Sequence, residues 1–118
     1  MATEPVIAFA PESLEQPGLE IRVNFGMFAG REATPAEIDE LAAALLPKVG
    51  EVSIVSEQRH EISHDVEVSL HQVRIDVDES ELPGDPRQQD ELRGRLLEIA
   101  ERWAKACFAE RHAEISEL

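Results

Sequence analysis

Two runs of strict apolar alternation flank a polar stretch in the middle of this chain, and they limit what it can fold into. Val52 and Ile54 precede the stretch and Val66, Val68 and Leu70 follow it, each separated from the next by Ser or Glu. That period of two is the signature of half-buried β-strands. The stretch between them, His60-Glu61-Ile62-Ser63-His64, spells H-E-x-x-H. On a helix, those two histidines share a face, bind zinc and leave the Glu beside the metal-bound water as general base. Between two strands the five residues fall at the tip of a β-hairpin, where that geometry is lost. Facing strands share inward sides, so the common even parity of the apolar residues calls for an odd loop of three or five.

Other residues speak against a protease. Asp65 follows the second histidine directly, and Glu67 and Leu70 stand where the extended metal motif would carry glycine and a third histidine. A structural metal is the remaining reading of the loop, with His60 and His64 facing each other beside Glu57, Glu61 or Asp65.

The apolar phase then changes, because Val73, Ile75 and Val77 are odd. A strand that switches parity while staying apolar is expected to contain a β-bulge, here at His71-Gln72. Upstream, Leu19, Ile21, Val23 and Phe25 alternate with Glu20, Arg22 and Asn24 as a strand with one wet face. Gly26 and Gly30 then loosen its far end. Residues 5–10 can supply a short edge strand.

Two helices are expected. Thr34-Pro35-Ala36-Glu37 carries a cap, a first-turn proline and a capping-box glutamate. Ile38, Leu41, Ala42, Leu45 and Leu46 follow on one face until Pro47 and Gly50 stop the helix. After the acidic link Asp78 to Gly84, Asp85 caps a longer helix with Pro86 in its first turn, running to about Arg111. Leu92, Leu96, Ile99, Trp103 and Ala106 form its main apolar face. The order (β)βαββα predicts an α+β, two-layer sandwich. Its ferredoxin-like antiparallel sheet of three to four strands carries both helices on one face. The 118 residues make one domain, with an arm over 1–18, a core over 19–111 and a frayed tail over 112–118.

Acidic residues outnumber basic ones 25 to 11, a formal charge of −14, so the surface repels phosphate backbones and anionic lipids. Nucleic acid and membrane are not expected partners, and a base-stacking sheet is further disfavoured because the wet face carries no expected aromatic. The single Cys107 excludes an internal disulfide and a thiolate cluster, and its helical setting reads as a small buried hydrophobe. No basic leader precedes the short apolar run at residues 6–10, so the cytoplasm is the expected compartment.

Phosphate loops, cofactor fingerprints and nucleophile arrangements do not appear. No catalytic, cofactor-binding or metal residue is assigned, and the function expected is a non-catalytic binding or regulatory domain. The alternative is a small enzyme using the open sheet face, with His71 at the bulge beside Arg22, Asn24, Glu67 and Ser69. A second stripe on the last helix, Gly94, Leu97, Ala104 and Phe108, predicts a homodimer through Leu97, Ala104 and Phe108.

Overall fold

A computed structural model of the chain describes residues 6–11, 18–63 and 66–116. The protein is α+β. Strands β1 (Ala8–Phe9), β2 (Leu19–Val23), β3 (Ser53–Ser63) and β4 (Val66–Val77) form one antiparallel sheet in the order β1-β2-β4-β3. Three helices accompany it: α1 (Phe25–Ala29), α2 (Pro35–Val49) and α3 (Pro86–Ser116). The expected edge strand at the N-terminal end is present as β1, beside β2.

The β3–β4 hairpin forms as the alternation implied, but its register differs. Pairing runs one to one from Ser53↔Asp76 to Ser63↔Val66, which leaves two positions, 64 and 65, between the last partners. The expected odd loop is therefore a two-residue connection, and the expected bulge at His71-Gln72 is absent. Even-numbered positions of β4 keep one phase from 66 to 76, so the parity switch of the apolar residues is a change of face along a regular strand. His60 to Ser63 belong to β3, whereas His64 and Asp65 lie outside the described residues.

The core collects the odd positions of β2 and β4 under the helices. Leu19, Ile21 and Val23 meet Val73, Ile75 and Val77 on the sheet, with Leu41, Leu45 and Val49 from α2 and Leu96, Ala100, Trp103, Ala104 and Cys107 from α3. Fully burying each of the larger side chains contributes on the order of 1.5–3 kcal/mol. The capping box at the start of α2 is formed: Thr34 Oγ1 accepts from the Glu37 amide, and Glu37 Oε1 accepts from the Thr34 amide at 2.9 Å. Pro47 does not end this helix. The chain continues helically through it to Val49 and stops at Gly50, whose φ of 71° suits glycine.

The segment after β2 was expected to be a loosened strand end and is instead the short helix α1. Phe25 leaves the sheet at its first position and turns into the core, 5.3 Å from Trp103 and 5.5 Å from Phe108 between ring centroids. Gly26 makes this possible. A Cβ there would stand 2.9 Å from the backbone nitrogen of His71 and 3.0 Å from its carbonyl oxygen, so only glycine lets α1 settle on β4.

Glu37 joins the helices. It is buried, and both carboxylate oxygens accept from Arg31, at 2.7 and 2.8 Å. Its backbone carbonyl accepts from the Trp103 indole at 2.8 Å. The Arg31 guanidinium beside it holds the Glu37 carboxyl at about 2; burial opposes that shift, while Thr34 and the Cys107 thiol reinforce it. Arg31 also lies over the Phe25 ring at 5.3 Å.

Two outcomes check this account. Gly26→Ala should destabilise by about 1–3 kcal/mol in urea unfolding, because the new methyl meets backbone rather than a yielding side chain. Gly94→Ala should stabilise by about 0.5–1 kcal/mol, since Gly94 lies within α3 with open space around its Cβ position. Equal effects at both sites would refute the close approach of α1.

The second concerns pH. Folding lowers the Glu37 pKa, so its contribution is complete above the ordinary carboxylate value and is lost as pH falls through that range toward about 2. Glu37→Gln should cost about 1–3 kcal/mol near neutrality. Its deficit against wild type should shrink between about pH 5 and pH 2. A deficit that stays constant over that interval would contradict the assignment.

Candidate functional site

Even positions of β2 and β4 and odd positions of β3 point away from the core, and opposite partners on neighbouring strands meet there. Arg22 pairs with Arg74 and Glu57 pairs with Gln72, so four polar residues from three strands share one open face. Arg22 donates from Nε to Glu20 at 2.9 Å, and from one terminal nitrogen to Glu57 Oε1 at 2.6 Å and Gln72 Oε1 at 3.1 Å. Arg74 does the same on the other side, donating to Asp76 at 2.9 Å and to Glu57 Oε2 at 3.0 Å. The Gln72 amide donates to Asn24 at 2.7 Å, and the Asn24 amide to the Val6 carbonyl at 2.8 Å. Glu57 is the hinge of the set, one carboxylate shared by two guanidiniums.

Burial lowers the Arg22 pKa, but hydrogen bonds and Coulombic attraction from Glu20 and Glu57 outweigh it, and the guanidinium ends above its ordinary value. Among the described residues no buried side-chain nitrogen or oxygen lacks a partner. An incoming carboxylate or phosphate would meet two guanidiniums that already share the Glu57 carboxylate. The face is therefore built to be held, with each partly exposed pair worth less than about 1 kcal/mol.

The expected pairing of His71 with Arg22 does not occur. Arg22 stands opposite Arg74, three residues from His71, so the two lie on opposite faces of an unbroken ladder. His71 instead backs onto Gly26 of α1. Glu67 and Ser69, expected on the same face as Arg22, pair with Ile62 and His60 of β3. The face does carry one aromatic position that was not expected: Phe9 of β1 pairs with Arg22. Asn24 and Arg22 are where the alternation put them.

The second stripe of the long helix is taken up inside the chain. Ala104 is fully buried, Leu97 packs against the core, and Phe108 stacks on Phe28 of α1 at 5.6 Å between centroids. Gly94 is exposed, with open space at its Cβ position. Of the three residues expected to join two copies, Phe108 thus rests on α1, and Ala104 is buried in the core.

A cavity of about 410 Å³ opens where β2 and β3 begin and β4 ends, lined by Glu20, Glu51, Asp76 and Asp78 among others. Asp76 and Glu20 are held by the two arginines, and Asp78 accepts from Ser80, which lowers its pKa. Among the described residues no group of three or more His, Cys, Asp or Glu is placed to hold a metal ion, and no helix is long and apolar enough to cross a membrane.

What stands apart from all of this is the hairpin. The β2–β4 ladder ends at Val23↔Val73, whereas the β3–β4 ladder continues from Glu57↔Gln72 to Ser63↔Val66. Among the described residues the far half of the hairpin is a two-stranded ribbon, and Ile62 on it is 77% exposed. No known protein family, curated protein or solved structure matches the chain.

Replacing Glu57 by Gln should leave two guanidiniums without their shared counter-charge and cost about 1 kcal/mol at low salt. The deficit should shrink as salt rises, since screening weakens both the lost attraction and the new repulsion. Equal stability of variant and wild type at low salt would show that the network adds nothing.

Proposed function

We propose that this chain is a small non-catalytic binding module that works as a homodimer, with the β3–β4 hairpin as its contact element. One observation carries the reading: the hairpin ladder runs on past the end of β2 as a ribbon of two strands. A two-stranded hairpin is marginal by itself in water, and a long edge strand without proline or bulge is a template for further pairing. Residues 53–63 contain no proline and their pairing is unbroken. Such an element gains its stability from a partner.

The finer architecture belongs to the same reading. Strand β2, helix α2, strands β3 and β4 and helix α3 follow the ferredoxin-like order, and β1 takes the edge beside β2 that a last strand would fill, with the helices as a second layer. The single cysteine, Cys107, is buried and forms no disulfide, which fits a reducing compartment and supports the cytoplasm. The polar set on the open face, closed on itself through Glu57, speaks for a structural face more than for an enzyme using Arg22 and His71.

Light scattering should give the mass of a dimer. A chain in which Asn-Gly joins Gln58 directly to His71 keeps their pairing and removes the ribbon; it should be a folded monomer. Should that variant fail to fold, Ile62→Lys, which alters one exposed side chain, should weaken the dimer with the fold intact. A monomeric wild type, or an undiminished dimer in Ile62→Lys, overturns the proposal.

A further inference from the structure

Strand β3 forms one edge of the sheet, and the two ends of its sequence mirror each other. From Ser53 to Ser63 it runs Ser-Ile-Val-Ser-Glu-Gln-Arg-His-Glu-Ile-Ser, with Gln58 at the centre. Ser53 mirrors Ser63, Ile54 mirrors Ile62, and Glu57 mirrors a residue of opposite charge, Arg59. We propose that two copies of this chain join β3 to β3 in antiparallel register about a two-fold axis at Gln58, giving one continuous eight-stranded sheet. This rests on the dimeric reading above and specifies its interface.

Symmetry narrows the choices. Opposite residues of antiparallel strands point to the same face, and a closed two-fold keeps the like faces of both sheets together. Each residue must then face one of its own parity, so the numbers of opposed residues add to an even total. Centring on Gln58 sets Glu57 against Arg59 of the second copy, twice by symmetry, and sets Ile54 against Ile62. It also overlaps all eleven residues of the strand. Shifting the axis to Glu57 places that carboxylate against its own copy. Shifting it to Arg59 does the same for the guanidinium and opposes Glu57 to Glu61. Like charges directly opposite are destabilising, and both neighbouring registers incur them.

Burial points the same way. Ile54 packs at the border of the core, partly buried, while Ile62 is 77% exposed on the same strand and in the same phase. In the Gln58-centred register the exposed Ile62 of one copy lies beside the border residue Ile54 of the other.

Disulfide trapping in the full-length chain tests the register. Opposed residues in antiparallel strands lie about 4.5–5.5 Å apart at Cα. That spacing is within disulfide reach. Gln58→Cys should oxidise to a covalent dimer, and wild type should not, because its one cysteine, Cys107, is buried. Ser56→Cys alone should stay uncrosslinked, since the two copies of position 56 are offset by four residues, about 13 Å along the strand. Mixed with His60→Cys, it should crosslink. Arg59→Glu should weaken the dimer about tenfold. Crosslinking of Ser56→Cys alone, or none in Gln58→Cys although the protein scatters as a dimer, overturns this register and leaves the dimeric module standing. A monomeric wild type overturns both.

Discussion

Everything in this protein is hung on β4. It joins the two longest ladders of the sheet, paired to β2 over residues 73–77 and to β3 over residues 66–76. Because its ladder is unbroken, its two phases sort the molecule into two chemistries. Val73, Ile75 and Val77 supply the floor of the core, and Gln72, Arg74 and Asp76 supply the centre of the open face. A one-residue slip would exchange the two sets and leave arginine under the helices and valine in water. The ladder is therefore determined by both faces together.

The helical side has its own fixed point in Glu37. That residue caps its helix, binds Arg31 with both carboxylate oxygens and lends its carbonyl to Trp103, so one position ties α2 to α3 and to the segment after α1. Arg31 in turn lies over Phe25, whose ring touches Trp103 and Phe108. The first turn of α2, the packing of α3 and the seat of α1 are thus coupled through a few adjoining contacts. Buried polar groups cost stability unless satisfied, and here each is satisfied by an element that also needs positioning.

The parts of this fold that are local were legible in the sequence. Thr34, Pro35 and Glu37 lie within four residues, and a capping box needs nothing from elsewhere. Alternation around residues 52–54 and 66–70 sufficed for the hairpin. α1 was hidden because Phe25 continues the odd phase of Leu19, Ile21 and Val23, and five residues are too few to display a helical period. Gly26 within it also argues against a helix, and tertiary contact of Gly26 with His71 and of Phe25 with Trp103 supports it. Arg22 and Asn24 were placed on the wet face correctly. Their partner Gln72 was missed because the expected bulge took it out of the alternation, and Glu57 because the expected odd loop set it against a different residue of β4. A two-residue connection at 64–65 puts Glu57, Gln72 and Arg74 beside Arg22 without further assumption.

The same mistaken bulge leads to what the parity switch does mean. Apolar residues in β4 occupy even positions through Leu70 and odd positions from Val73 onward, while the backbone keeps a single register. The change falls where β2 stops, at the pair Val23↔Val73. On the body side of that point the apolar phase is the one beneath the helices. On the ribbon side it is the opposite phase, the one continuous with the open face. A strand crossing between two environments has no reason to keep its apolar residues on one side, and each half here follows the surroundings it meets. A polar ribbon facing only solvent would not need Val66, Val68 and Leu70 in one phase. That alternation is the pattern of a strand with one apolar side, and β2, whose ladder ends at Val23↔Val73, does not extend far enough to lie beside it.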